Sequence, residues 1–375
     1  MAELQTCPKC GALITRELER CRRCKTYLHG TQLEGALLQH LLPESMRGAP
    51  GTASLALITI VYYVMMVVLS APVDHGSLLG FSHFSLIQLG ATSGTRQLLG
   101  EHWRYVTSIL AHHDLMHLAF NLWALSSAGP LVEELFDRKK MMILYLLSGV
   151  ASMIVSFVWY VFVLGQIEFV SAGASGAVSG LIGAALFGAR RRGSEGREVV
   201  SGMTRWSIYM VAWGFMMGGI NNAAHLGGWV VGGLIAHFMP LGLARSTVAQ
   251  RGLSVAVLGV LAVAIASTAM MLVTLRGFPA SLALDPYPRR MFGMTYAPGM
   301  DWEGSDLPAI FARCTAHLES SATPSEEAIH DCELNTRVND GFASFALHAQ
   351  LLARAGQLEE AQRYAAVAEQ FKAAR

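Results

Sequence analysis

At 375 residues, with 53% hydrophobic and only 15% charged residues, the chain is too apolar for an ordinary soluble protein and long enough for more than one domain. A formal net charge of +1 gives no global attraction to nucleic acid and excludes it as an expected partner. Charge is confined to short clusters between apolar runs, the pattern of a protein with several membrane spans.

The first 40 residues are polar, and Cys7, Cys10, Cys21 and Cys24 fall where the apolar core of a signal peptide would lie, so no cleavable signal is expected. Cys7-Pro8-Lys9-Cys10 and Cys21-Arg22-Arg23-Cys24 are Cys-x-x-Cys knuckles with ten residues between them. Four thiolates at this spacing suit a compact zinc ribbon, folding a segment too small to own a core. The other reading, two redox or disulfide pairs, is disfavoured by a cytoplasmic location. Residues 1–30 are expected to be this ribbon-like segment and 31–52 a linker. Arg16, Arg20, Arg22, Arg23 and Lys25 read as a solvated, headgroup-facing surface.

Seven candidate spans follow, at about 53–71, 115–132, 141–164, 170–189, 206–220, 223–240 and 253–275. Some fall short of the ~20 residues that cross a bilayer, as helices buried inside a bundle can. The connection 72–114 carries Gly90, Gly94 and Gly100 and then Trp103-Arg104-Tyr105. It reads as an outer, interfacial loop, with the aromatic rings at the headgroup layer and Arg104 able to reach lipid phosphate. Arg138, Lys139 and Lys140, then Arg190, Arg191, Arg192 and Arg197, then Arg245 and Arg251 mark alternate loops, which places those loops and the N-terminus in the cytoplasm. With seven spans the tail after Arg276 lies outside. Residues 277–305, with Pro279, Pro286, Pro288 and Pro298, read as an irregular linker. Residues 306–375 read as short amphipathic helices in which Ala346, Leu351, Leu352, Ala355, Gly356, Leu358 and Ala361 resemble one tetratricopeptide-type hairpin. Repeat folds usually need about three units, so a small helical bundle of no particular family is an equal reading. Cys314 and Cys332 are a candidate disulfide if the tail is outside, and otherwise two unpaired thiols.

The chemistry lies in the spans. Ser175, in Gly173-Ala174-Ser175-Gly176, and His225, in Ala224-His225-Leu226-Gly227-Gly228, are polar groups at membrane depth. A spanning serine commonly just bonds back to the preceding turn. Here Gly176 with Gly180, and Gly228 with Gly232, form small-xxx-small pairs that let two helix backbones approach closely. Two such helices can bring Ser175 within reach of His225, so that a neutral imidazole takes the serine proton and returns it to a leaving amine. No carboxylate lies near either residue in sequence, which points to a dyad. In His112-His113-Asp114-Leu115-Met116-His117-Leu118-Ala119-Phe120-Asn121, His117 and Asn121 share a helix face at i, i+4. With the Ser175 N–H they are candidate oxyanion donors, and His112 is placed to orient them. A metal site at His113, Asp114 and His117 is the competing reading, but no His-Glu-x-x-His signature accompanies it.

These motifs, in this order, resemble the rhomboid intramembrane serine proteases. The resemblance rests on Gly173 to Gly176, on His112, His117 and Asn121, on Ala224 through His225 and Gly228 to Gly232, on Trp103-Arg104, and on Gly129-Pro130-Leu131-Val132-Glu133. It implies an all-α polytopic membrane protein with a six-helix core over 53–240 and a seventh span at 253–275, to which the residues themselves add the zinc-ribbon-like N-terminal segment and the small helical domain at 306–375. It implies Ser175 as nucleophile, His225 as general base, and His117, Asn121 and the Ser175 N–H as oxyanion donors. No cofactor is expected for catalysis, only structural zinc at the N-terminus. Expected substrates are single-pass transmembrane proteins in the bilayer, with helix-destabilising stretches near the outer face and lateral access past the fifth span. The zinc end and the C-terminal domain are candidate docking sites for protein partners. The expected setting is a bacterial inner membrane. One departure stands out: relatives often carry a large aromatic four residues after the nucleophile, stacked on the base, and here that residue is Ser179. Trp229 or Phe120 are the candidate replacements. A catalytically weak or silent client-binding adaptor is the alternative function. A transporter leaves Gly173 to Gly176 unexplained and predicts mid-span acidic residues that the sequence lacks.

Overall fold

The computed structural model describes residues 4–7, 12–15, 21 and 23, then 48–275 apart from 75–78, 168, 217–218 and 244–245, then 289–291 and 294–296, and within 314–373 all but 319–322, 327, 330–331, 334–335 and 337–341. At the N-terminus, β1 (Leu4–Thr6) and β2 (Leu13–Thr15) pair antiparallel. Cys7 follows β1 with its N–H donating to the Ala12 carbonyl, and Cys7 and Cys21 are buried. Cys10 and Cys24, the other two expected zinc ligands, lie outside the described residues, as does the whole 31–47 linker segment.

The bundle begins with α1 (Pro50–Asp74). Its first N–H groups have no carbonyl one turn back. The buried Glu133 carboxylate takes their place, accepting from Gly51 N, Thr52 N and Thr52 Oγ1 at 3.0 Å each. A carboxylate is also the charge that the positive end of a helix favours. Glu133→Ala leaves these donors buried and unpaired, and is expected to lower the unfolding free energy by about 3 kcal/mol, measured by reversible unfolding in mixed detergent micelles.

Between the first and second spanning helices the chain builds a folded lobe: α2 (His83–Gln88), β3 (Thr92–Ser93), α3 (Gly94–Leu98) and α4 (Arg104–Leu110). Here one expectation is corrected. Arg104 does not reach toward lipid phosphate; it is 2% exposed. Its guanidinium donates to the Ile87 and Ala91 carbonyls and pairs with Glu101, while Trp103 lies over it at 4.3 Å. The planar fork satisfies loop carbonyls that would otherwise be buried unpaired, so Arg104 is the internal fastener of the lobe. Burial pulls its pKa below the ordinary arginine value, and the Glu101 carboxylate opposes that shift.

The helices α5 (Leu115–Phe136) and α6 (Arg138–Phe157) are capped by Asp114 and Asp137, whose carboxylates accept from His117 N at 2.7 Å and Lys140 N at 3.0 Å. A π-helical segment, Val158–Val163, continues α6. The fourth span differs from the expected 170–189. Val170–Ser171 forms β4, paired antiparallel with β3, and α7 begins only at Ser175 (Ser175–Arg190). Gly173, at φ +128°, breaks the helix between them. The fifth helix, α8 (Arg197–Met216), starts about two and a half turns before the expected 206 because Arg197, Glu198 and Arg205 occupy its polar first half. It is followed by α9 (Asn222–Phe238) and α10 (Thr247–Leu275). Among the described residues, four stretches, Pro50–Ala71, Leu115–Phe136, Arg138–Val163 and Thr247–Leu275, are long and apolar enough to cross a membrane. The shorter α7 is buried on nearly every side at the centre of the bundle, which explains why it is apolar all round.

The basic clusters gather at one end. Lys140 Nζ donates to Pro240 O at 2.9 Å, Arg191 Nη1 to Ala236 O and Met239 O, and Lys139 Nζ to Ser254 Oγ. The α2–α4 lobe, β4 and the start of α7 lie at the other end. Beyond α10, β5 (Arg289–Met291) and β6 (Met294–Tyr296) form a hairpin inside the expected irregular linker. The tail ends in a helical hairpin, α11 (Phe342–Arg354) and α12 (Leu358–Ala373), with Gly356 at φ +81° in the turn. Cys314 and Cys332 are disulfide-bonded and pack with Ala328 and Leu351. Phe345, Val367 and Ala368 cluster with Val161 and Ile167, and Arg96 Nη2 donates to Thr336 O at 3.0 Å, so the tail rests on the lobe end of the bundle.

Candidate active site

The site forms where α7 and α9 cross. A Cβ on Gly228 would overlap the Gly176 carbonyl, and one on Gly232 the Gly180 carbonyl. The two backbones therefore touch, which only glycine permits. This contact puts the first turns of the helices side by side, with His225 Nε2 2.8 Å from Ser175 Oγ. Ser175 is the first residue of α7, so its N–H has no helical acceptor and faces outward at the positive end of the helix dipole. His225 Nδ1 is buried with no hydrogen-bond partner among the described residues, so the pair has no third, carboxylate member there.

Two histidines lie against the residues just before Ser175, and Asn121 is tied to one of them. A Cβ on Gly173 would lie 2.6 Å from His117 Cε1 and 2.8 Å from Nε2, so glycine keeps open the space between that ring and the Ser175 N–H. His113 N–H points at His117 Nδ1 at 3.4 Å, which makes Nδ1 the acceptor and leaves the proton on Nε2, facing the site. His112 donates from Nδ1 to Leu110 O at 2.9 Å and accepts on Nε2 from Ala174 N–H at 3.4 Å. It thereby ties the start of α5 to the residue before Ser175, and its ring lies 5.1 Å from that of His117. Asn121, 5% exposed, uses one amide hydrogen on His117 O at 2.8 Å and keeps the other. The sequence-predicted Ser175, His225, His117, His112, Gly173 and Gly176 thus lie together, Asn121 bonds to the His117 carbonyl one turn along the same helix, and Trp103 and Arg104 belong to the lobe.

Neither candidate ring replaces the aromatic missing at Ser179. Trp229 donates to Ser207 Oγ at 3.0 Å and packs edge-on to Phe187, and Phe120 is half exposed. Ser179 bonds back to Ser175 O at 2.7 Å and contacts Met210 Sδ on α8. No group of three or more His, Cys, Asp or Glu among the described residues is arranged to hold a metal, including His113, Asp114 and His117. The sequence reading missed Asn221, which bonds to Ser156 and Ser171; an Asn-Asn pair just before an apolar run is a helix N-cap signal that could have marked it.

The site is a serine and a histidine in hydrogen-bond contact on glycine-packed helices, inside a bundle of apolar spans. The family model for the rhomboid domain matches residues 99–242, the stretch that holds every one of these side chains. The chain is 35% identical over 153 residues to the rhomboid protease GluP of Bacillus subtilis, covering 40% of this chain and 29% of that protein. It is 28% identical to the rhomboid protease AarA of Providencia stuartii, covering 49% of this chain and 70% of that one. It is 31% identical to a putative rhomboid protease of Bacillus subtilis, YdcA, covering 37% and 68%. The chain belongs to the rhomboid family. It spans less than a third of GluP and about two thirds of the other two relatives.

Proposed function

We propose that this protein is an intramembrane serine endopeptidase that cleaves transmembrane helices by a Ser175–His225 dyad. The observation that carries the reading is the 2.8 Å Ser175 Oγ to His225 Nε2 contact at the N-terminus of a buried helix. His225 accepts the Ser175 proton as Oγ attacks the scissile carbonyl. The oxyanion forms against the Ser175 N–H, His117 Nε2–H and the unused Asn121 amide hydrogen. His225 then protonates the leaving amine, and water, deprotonated by the same imidazole, releases the acyl group. No cofactor takes part in these steps. Substrates are single-pass membrane proteins whose helix unwinds near the outer face and reaches the dyad past α8.

The basic end of the bundle faces the cytoplasm of a bacterial inner membrane, and the N-terminus with it. The lobe, the active site and the C-terminal domain face outward, with α10 as the seventh span. The Cys314–Cys332 bond, a feature of oxidising compartments, supports this side for the tail. At the N-terminus, Cys7, Cys10, Cys21 and Cys24 hold structural zinc, a reading supported by the burial of Cys7 and Cys21 beside the β1–β2 hairpin. The zinc segment and the C-terminal helices dock protein partners. In proteoliposomes the wild type is expected to cut a single-pass reporter that carries a helix-breaking stretch near its outer end, and to leave the same reporter intact when that stretch is replaced by leucines. Equal cleavage of both would sink the substrate assignment.

A further inference from the structure

In a three-member catalytic group, a carboxylate orients the base through its second ring nitrogen. Here the buried His225 Nδ1 has no such partner among the described residues. Something else must fix the imidazole, and the backbone of the first turn of α9 is what carries it. Asn221 holds that turn. Its Oδ1 accepts from Ala224 N at 2.9 Å, and its carbonyl accepts from His225 N at 3.2 Å.

Its amide nitrogen does more than cap a helix. One hydrogen goes to Ser156 Oγ on α6 at 2.6 Å and the other to Ser171 Oγ on β4 at 2.9 Å. Both hydroxyls are buried. Ser171 lies four residues before Ser175, and Asn221 lies four residues before His225. One side chain therefore joins the strand that leads into the nucleophile to the turn that leads into the base, and pins both to α6. The Gly176–Gly228 and Gly180–Gly232 contacts set how closely the helices approach, but glycine backbones alone resist sliding and rotation poorly. A bridge one turn above the dyad stops both motions.

Resting on the dyad reading above, we infer that Asn221 is a positioning residue that braces Ser175 against His225 in place of a carboxylate. A residue needed only as a cap would be replaceable by serine, which caps equally well but is too short to span both hydroxyls. The test uses the full chain in proteoliposomes. It reads the rate of labelling by a fluorophosphonate probe, and kcat and KM for a transmembrane reporter. Asn221→Ser, and separately the pair Ser156→Ala with Ser171→Ala, are expected to lower kcat and the labelling rate by about 10- to 100-fold, with KM within about twofold of wild type. Adding Ser171→Ala to Asn221→Ser is expected to cost nothing further, because the bridge is already gone. If Asn221→Ser folds poorly, Ser171→Ala alone removes one arm of the bridge and is expected to lower kcat at unchanged KM. Wild-type rates in Asn221→Ser, additive losses, or a change confined to KM would each overturn the brace. Labelling that survives Ser175→Ala would overturn the dyad itself, and is thereby told apart from failure of the brace.

Discussion

Ser175→Ala and His225→Ala are each expected to reduce reporter cleavage by about 10⁴-fold or more, and the double variant to be no worse than the more damaged single one. In the proposed dyad the hydroxyl and the imidazole act as one unit across their 2.8 Å contact, so losing either would remove the same proton-coupled attack. Asn121→Ala is expected to fall short of that, at about 10²- to 10³-fold, because under the same proposal the Ser175 N–H and His117 would remain to hold the oxyanion. Both dyad variants should keep the unfolding profile of the wild type, since neither side chain fills core volume that a methyl group leaves empty at the partly exposed site. Single-turnover cleavage and unfolding measured on the same preparations separate chemistry from folding. Strict additivity of the two substitutions would contradict a shared proton transfer.

Gly228→Val is expected to be the most damaging change that touches no polar group. Its Cβ would overlap the Gly176 carbonyl, which is backbone and cannot rotate away, so α7 and α9 must separate. Overpacking of this kind costs about 1–3 kcal/mol or more, and here it also lengthens the Ser175–His225 contact. Stability and activity should therefore fall together, unlike in the dyad variants. Gly228→Ala should show the same coupled loss at smaller amplitude, and Gly202→Ala, on α8 with open space at its Cβ position, should change neither. Unfolding midpoints set against cleavage rates across the three variants check this. Full activity in Gly228→Val would mean that the helices do not meet as described.

Much of the site is legible in the chain because each part is announced locally. The Gly-x-Ser-Gly run, the i, i+4 pair of His117 and Asn121, and the small-xxx-small spacings depend only on residue type and helical period. That the protein is built from several long apolar helices follows for the same reason, since an apolar stretch records its own exclusion from water. Where a feature depends on residues far apart in the chain, the sequence carries no local signal for it. The start of α7 at Ser175 depends on β4 pairing with β3, some eighty residues earlier, and on the positive φ of Gly173. Arg104 carries no mark in sequence to say whether its charge meets lipid phosphate or the carbonyls of Ile87 and Ala91.

The sequence by itself determined that the chain is a membrane protein with a serine and a histidine on glycine-faced helices and two candidate hydrogen-bond donors on another helix, because composition and periodicity are properties of single segments. Only the tertiary structure decided how these groups are held. Asn221 meeting Ser156 and Ser171, His113 N–H directing the His117 tautomer, and Glu133 closing the first helix are contacts between residues from 4 to 82 positions apart. The longer of these contacts exist only once the helices have packed, because apolar burial fixes which faces meet and buried polar groups must then find partners within them.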